Sequence, residues 1–163
     1  MSDDNFAELH EFAGRLGQRR VGFQGDHYDI DIVTREVALE LGALPVESRE
    51  IVTRMKSAGL RRRPSTFVKW HLVNRSDADD ADPGDLLSDA VLAPYLDVGT
   101  GWFVLEREGE DGTLARGMVV FGEDLPDGVT LPEEDPESGL FSRIDHTGNF
   151  SIERISPPPT DRE

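Results

Sequence analysis

The densest group of residues that could do chemistry is a run of acids around one histidine, Asp26-His27-x-Asp29-x-Asp31. Carboxylate oxygens suit hard divalent cations, and an imidazole nitrogen suits a transition metal. In an extended segment Asp29 and Asp31 would point to the same side, because side chains alternate along a strand. One hypothesis is therefore a metal-dependent hydrolase centred on these four residues. Further ligands would come from elsewhere in the N-terminal half: His10, Glu36 or Glu40.

The same run has an ordinary structural interpretation. Asp31 can cap the helix that follows it, and Asp29 can accept hydrogen bonds within a turn. His27 and Tyr28 can anchor the loop by packing. Short local motifs of this kind arise often without function, so the sequence favours the structural interpretation and predicts no cofactor.

A second candidate group is basic, and it belongs to a predicted helical hairpin over residues 38–63. Its members are Arg49, Arg54, Lys56, Arg61, Arg62 and Arg63. Such side chains can contact phosphates, which makes DNA binding by residues 48–63 an alternative function. Two features disfavour a nucleic-acid partner: Glu47 and Glu50 interrupt the group, and the second half of the chain is strongly acidic. The plain alternative is a helical hairpin whose arginines pair with the protein's own acids.

The charge of the chain is unevenly divided. Of the 163 residues, positions 1–75 carry 12 Lys and Arg against 11 Asp and Glu, a net charge of +1, whereas positions 76–163 carry 5 against 22, a net charge of −17. A field of that size attracts cationic partners and repels nucleic acid and anionic membranes. The carboxylates predicted to bind a partner are Asp77, Asp79, Asp80, Asp82, Asp85, Glu133, Glu134 and Asp135. An organism-wide preference for acidic residues is the alternative source of this charge.

The function that these observations favour is a non-enzymatic binding or regulatory accessory protein. Its acidic half would engage a basic protein partner, in the manner of an inhibitor or a nucleic-acid mimic. The chain has no cysteine, no apolar leader after Met1 and no run of about 18 apolar residues. We therefore expect a cytoplasmic protein that does not span a membrane. The oligomeric state stays open.

The elements that must position these groups indicate an α+β fold, with a helical N-terminal segment followed by a small, mainly antiparallel β-sheet. Predicted helices start near Asp3 or Asp4, near Asp31 or Thr34, and at a cap by Ser48. A short helix is predicted around residues 86–92. Predicted strands cover residues 66–73, 102–105, 118–121, 140–144 and 150–155. The organisation is a helical segment over 1–63, an acidic β-rich segment over 64–156 that can form one domain with it, and a disordered tail over 157–163.

Three short motifs in the N-terminal segment carry a resemblance to a known family. They are Glu8-Leu9-His10-x-Phe12-Ala13-x-x-Leu16-Gly17, Phe23-Gln24-x-x-His27-Tyr28-Asp29 and Arg35-x-x-Ala38-x-x-x-Gly42-Ala43. Together they resemble an uncharacterised family of bacteria and phages, Domain of Unknown Function 4031, over about residues 3–50. The resemblance implies a shared local shape. It implies no activity, because the family has none assigned.

Overall fold

Helices occupy the N-terminal half of the protein and an antiparallel sheet occupies the C-terminal half. The structure, a computed structural model, describes residues 1–2, 4–61, 69–109 and 112–159. The helices are α1 (Phe6–Arg15), α2 (Ile32–Glu40), α3 (Ser48–Ser57) and α4 (Gly84–Ser88), and the strands are β1 (His71–Arg75), β2 (Gly101–Glu108), β3 (Leu114–Gly122), β4 (Leu140–Ile144) and β5 (Phe150–Ser156). The predicted α+β class is confirmed.

Several element boundaries differ from the sequence prediction. Helix α1 is capped by Asn5, whose Oδ1 accepts from the backbone N–H of Glu8 at 2.8 Å. Ser48 is the first helical residue of α3 and does not cap it. The helix predicted over residues 86–92 ends at Ser88, because Asp89 adopts an extended backbone and its Oδ1 accepts from the N–H groups of Val91 and Leu92; a short 3₁₀ turn at Ala93–Tyr95 follows. Strand β1 starts at His71, and residues 66–68 of its predicted span lie outside the described residues.

The five strands form one sheet in the order β1-β2-β3-β5-β4, and all neighbours are antiparallel. One face packs against α4 and the segment after it. Leu86 and Leu92 from that layer are completely buried against Val104, Val120 and Ile152 of the sheet. This contact forms the larger core of the protein.

The opposite face of the sheet carries the N-terminal segment. The Arg19 guanidinium lies 5.4 Å from the ring centre of Phe103 and 4.8 Å from that of Phe121. Val21 passes so close to β3 that a Cβ at Gly117 would lie 3.0 Å from its Cγ1 atom. The central strands β3 and β5 are therefore covered on both faces, which explains why both sets of alternating side chains in β5 are buried from Phe150 to Glu153.

Of the tail predicted over 157–163, residues 160–163 lie outside the described residues.

Candidate functional site

Asp26, His27 and Asp29 of the proposed metal cluster lie together in the structure, whereas Asp31 has a separate role. Asp26 is completely buried and receives hydrogen bonds from the Arg61 guanidinium and from His27 Nδ1, at 2.6 Å. Asp29 accepts from Gln24 Nε2 at 2.5 Å, and its Oδ1 lies 3.6 Å from His27 Nε2. Arg61 thus ties the end of α3 to the loop before α2 through a buried carboxylate.

Asp31 caps α2, as the structural interpretation of the sequence predicted. Its Oδ1 accepts from the backbone N–H of Thr34 at 2.7 Å, and this hydrogen bond lowers the pKa of the carboxyl. Glu36 and Glu40 are exposed on α2, and His10 bonds to Tyr28. Within the described part of the chain, no three His, Asp or Glu side chains are arranged to hold a metal ion.

The basic group is divided between internal pairs and exposed side chains. Arg54 pairs with Glu50 along α3, and Arg61 pairs with Asp26. Arg49 and Lys56 are exposed on α3. Arg62 and Arg63 lie outside the described residues.

The acidic residues of the second half are concentrated in two segments, residues 77–97 and 123–137, which we call the acidic layer. Each segment has seven Asp or Glu and no Lys, Arg or His. Both cover the face of the sheet that packs against α4, since Leu131 joins the same core and the Tyr95 hydroxyl donates to the Thr130 carbonyl at 2.7 Å. Arg154 of β5 bonds to Asp89 of the first segment and to the carbonyl of Ser138, the residue just after the second segment, each at 3.1 Å. The fold therefore brings two acidic segments together that are separate in sequence.

Four carboxylates of the acidic layer form ion pairs with arginines: Asp77 with Arg75, Asp85 with Arg116, Asp89 with Arg154, and Glu134 with Arg143. The other ten are all exposed, and no Lys or Arg of the described residues is within ion-pair distance of them. They are Asp79, Asp80, Asp82, Asp97, Glu123, Asp124, Asp127, Glu133, Asp135 and Glu137. Two of the ten are used locally, since Asp82 accepts from the Gly84 N–H at 2.9 Å and Asp135 from the Ser138 N–H at 3.3 Å. The layer is thus a surface of largely uncompensated negative charge.

A buried polar cluster lies on the other face of the sheet, where the N-terminal segment meets β5. Glu153 is completely buried, and it accepts from the backbone N–H groups of Arg20 at 2.8 Å and Val21 at 3.0 Å. Burial raises the pKa of Glu153, while the two N–H donors and the positive charges of Arg143 and Arg19 oppose the rise. This carboxylate joins two parts of the chain more than 130 residues apart.

The cluster continues through His10 and Tyr28. The Tyr28 hydroxyl lies 2.9 Å from His10 Nδ1 and also bonds to the Arg20 guanidinium. Burial is the main cause that raises the pKa of Tyr28. It also lowers the pKa of His10 to about 3, helped by the charges of Arg20 and Arg143, so the ring is neutral at physiological pH.

Arg143, Arg20 and Glu153 carry no local sequence signal of their place in this cluster. Charged residues such as Arg143 and Glu153 on alternating strands, and Arg20 in the turn after α1, are usually exposed. His10 and Tyr28 did appear in the sequence analysis, within the motifs that resemble a known family.

Residues 1–58 match the family model described as "Protein of unknown function (DUF4031)". The match confirms the resemblance seen in the three motifs, and it names no activity. It includes His10, Arg20 and Tyr28, whereas Arg143, Glu153 and the acidic layer lie beyond it. Neither a curated protein nor a solved structure matches the chain. In the described residues, no helix combines the length and apolar character needed to cross a membrane.

Proposed function

We propose that the protein is a non-enzymatic binding or regulatory protein that acts in the cytoplasm, and that its acidic layer engages a basic protein partner. The observation that carries this proposal is the set of ten exposed carboxylates in two segments that contain no basic residue. Like charges held on one surface repel each other, and a cationic partner relieves that repulsion. Binding is then favoured by the attraction to the partner and by the weaker repulsion among the carboxylates.

The rigid support of the layer favours specific recognition over loose attraction. Leu86 and Leu92 anchor the first segment in the core, Leu131 packs the second segment against the same core, and Arg154 of β5 holds Asp89 and the Ser138 carbonyl. The carboxylates are therefore displayed on a shaped surface. Complementary charge on a shaped surface speeds association and excludes partners of the wrong sign.

The test is capture of a partner from a nuclease-treated lysate of the native host, with mass spectrometry of the bound proteins. The layer variant Asp80→Asn/Glu133→Gln/Glu137→Gln is compared with the control variant Glu36→Gln/Glu40→Gln/Glu47→Gln. Both triples change the net charge by the same amount, and the control residues are exposed on or beside the N-terminal helices.

We expect a basic protein in near-stoichiometric amount that is released by salt. The layer variant should lose it and the control variant should retain it. The proposal fails if the wild-type protein captures no stoichiometric basic protein, or if both triple variants retain the partner equally.

A further inference from the structure

A cleft of about 340 Å³ opens between α1 and β4, on the side of the molecule that carries the N-terminal segment. His10, Gly14 and Arg15 line it from α1, and Arg143 lines it from β4. Its volume falls within the range of roughly 300–1,000 Å³ that small-molecule sites occupy. Two acidic residues also line the cleft, Glu11 on α1 and Glu134 of the acidic layer.

Two buried nitrogen atoms, on side chains that line this cleft, have no hydrogen-bond partner. They are His10 Nε2 and Arg143 Nε. No buried side-chain oxygen of the described residues is left unpartnered. Leaving a buried polar atom unsatisfied costs about 1–3 kcal/mol, so such atoms call for an explanation.

Both atoms are hydrogen-bond donors. Arg20 can only donate, so the Tyr28 oxygen accepts from it, and we assign the phenolic proton to the hydrogen bond with His10 Nδ1. Nδ1 is then the acceptor nitrogen of a neutral ring, and Nε2 carries the hydrogen. The Arg143 Nε atom of a guanidinium group always carries one.

Gly14 leaves room for the arginine. A Cβ at this position would lie 3.1 Å from Arg143 Nε, closer than most side chains tolerate. The missing side chain lets the guanidinium lie against α1 beside His10, whose pKa the Arg143 charge helps to lower. Arg15 adds a second positive charge to the lining.

We propose that this cleft binds a small oxyanion, a carboxylate or phosphate group, which accepts hydrogen bonds from His10 Nε2 and Arg143 Nε. An oxyanion supplies the acceptors that the two buried donors lack, and its charge is complementary to the guanidinium. Glu134 competes with it, because its carboxylate pairs with Arg143 Nη1. The site shares Glu134 with the acidic layer, and the ten exposed carboxylates proposed to bind a partner do not line it.

The test is titration of the full chain with inorganic phosphate and, separately, with succinate, at an ionic strength kept constant with sodium chloride. Isothermal calorimetry gives the affinity, and the ¹⁵N and ¹H signals of the His10 imidazole report contact at Nε2. We expect saturable binding of at least one of the two anions with a shift of the Nε2 signal. The anion that binds more tightly identifies the source of the oxyanion group.

Three variants connect the binding to the cleft. Arg143→Gln should weaken it by about tenfold or more, since a charge-assisted hydrogen bond is lost. Gly14→Ala should weaken it without any change of charge, because the new methyl group crowds Arg143 Nε. Glu134→Gln should strengthen it, because a competing carboxylate is removed. The control Arg35→Gln removes an equal charge from the exposed surface of α2 and should leave the affinity unchanged.

The proposal is overturned if neither anion binds saturably. It is equally overturned if a folded Gly14→Ala or Arg143→Gln protein binds as tightly as the wild type, with folding checked by thermal denaturation. Loss of binding in Arg35→Gln as large as that in Arg143→Gln would show a general charge effect and would also contradict it.

Discussion

Single residues on the N-terminal side of the sheet are held in unusual electrostatic environments. His10 has a pKa of about 3, and burial is the main cause. Glu153 has a raised pKa for the same reason, although two N–H groups and two arginines oppose the rise. Glu153 is completely buried and His10 is partly buried, and both are held by specific neighbours. This part of the molecule is therefore sensitive to pH.

The pH dependence of stability should show the titration of His10. Unfolded histidine takes up a proton near its ordinary pKa of about 6.5, whereas His10 in the folded protein stays neutral until a pKa of about 3. The unfolded state binds more protons in this window, so the free energy of unfolding falls as the pH falls. The slope for one proton is at most about 1.4 kcal/mol per pH unit, and partial exposure of the ring narrows the pH range over which it applies by reducing the pKa shift.

The measurement is urea denaturation from about pH 7 to about pH 4.5. His10→Gln should reduce the dependence of the free energy of unfolding on pH, because a glutamine side chain does not titrate. His146→Gln is the matched control, since His146 is exposed at the β4–β5 turn. Identical slopes for wild-type and His10→Gln proteins would show that His10 is not held neutral by the fold.

At this scale the sequence identified local roles and missed non-local ones. The capping role of Asp31 is visible in sequence, because a cap needs only a carboxylate just before a helix. The burial of Glu153 is not visible in sequence, because it depends on a segment more than 130 residues away that covers the strand. The cluster of His10 with Arg143 was missed for the same reason.

At the scale of elements, the N-terminal segment docks on the sheet through a buried acceptor. The Glu153 carboxylate on β5 accepts hydrogen bonds from the backbone N–H groups of Arg20 and Val21, at the short 3₁₀ turn Arg20–Gly22. Gly17, just after α1, lies tight against the β4–β5 turn, since a Cβ there would come within 2.5 Å of the Asp145 Cα atom. The positive φ of 73° at Gly17 adds a second reason why only glycine fits.

This docking predicts the effect of replacing Glu153. Glu153→Ala would leave two buried N–H donors without acceptors, and each costs about 1–3 kcal/mol. We therefore expect the free energy of unfolding to fall by roughly 2–6 kcal/mol, measured by urea denaturation. Glu153→Gln keeps one side-chain oxygen and removes the buried charge, so its loss should be smaller. A Glu153→Ala protein within about 0.5 kcal/mol of the wild type would refute the docking role.

Elements defined by local signals were predicted better than those defined by packing. The β4–β5 hairpin was predicted over residues 140–144 and 150–155, close to its observed bounds, because its alternation and turn residues are local. Asp145 stabilises the turn by accepting from the N–H groups of Thr147 at 2.8 Å and Asn149 at 3.1 Å. Helix α4 was predicted too long, since its apolar positions continue into a turn that packs on the same core.

At the scale of the whole molecule, the negative charge that is unevenly divided along the chain is also unevenly divided between the two faces of the sheet. The sequence showed that the second half carries the excess negative charge. It could not show that residues 77–97 and 123–137 share one face, because their contact depends on the pairing of distant strands. The N-terminal segment, which carries both signs of charge, covers the other face. Glu134 is the member of the acidic layer that reaches an arginine of the cleft, through its ion pair with Arg143.

The most direct test of the proposed partner interaction is the association rate of the captured partner as a function of salt. We predict that the rate constant falls by about tenfold or more between about 50 mM and about 500 mM salt, because screening removes the attraction of exposed carboxylates. Asp80→Asn/Glu133→Gln/Glu137→Gln should associate more slowly at low salt and with a weaker salt dependence, while the control triple behaves like the wild type. A rate constant that is independent of salt and equal in all three proteins would contradict the role of the acidic layer.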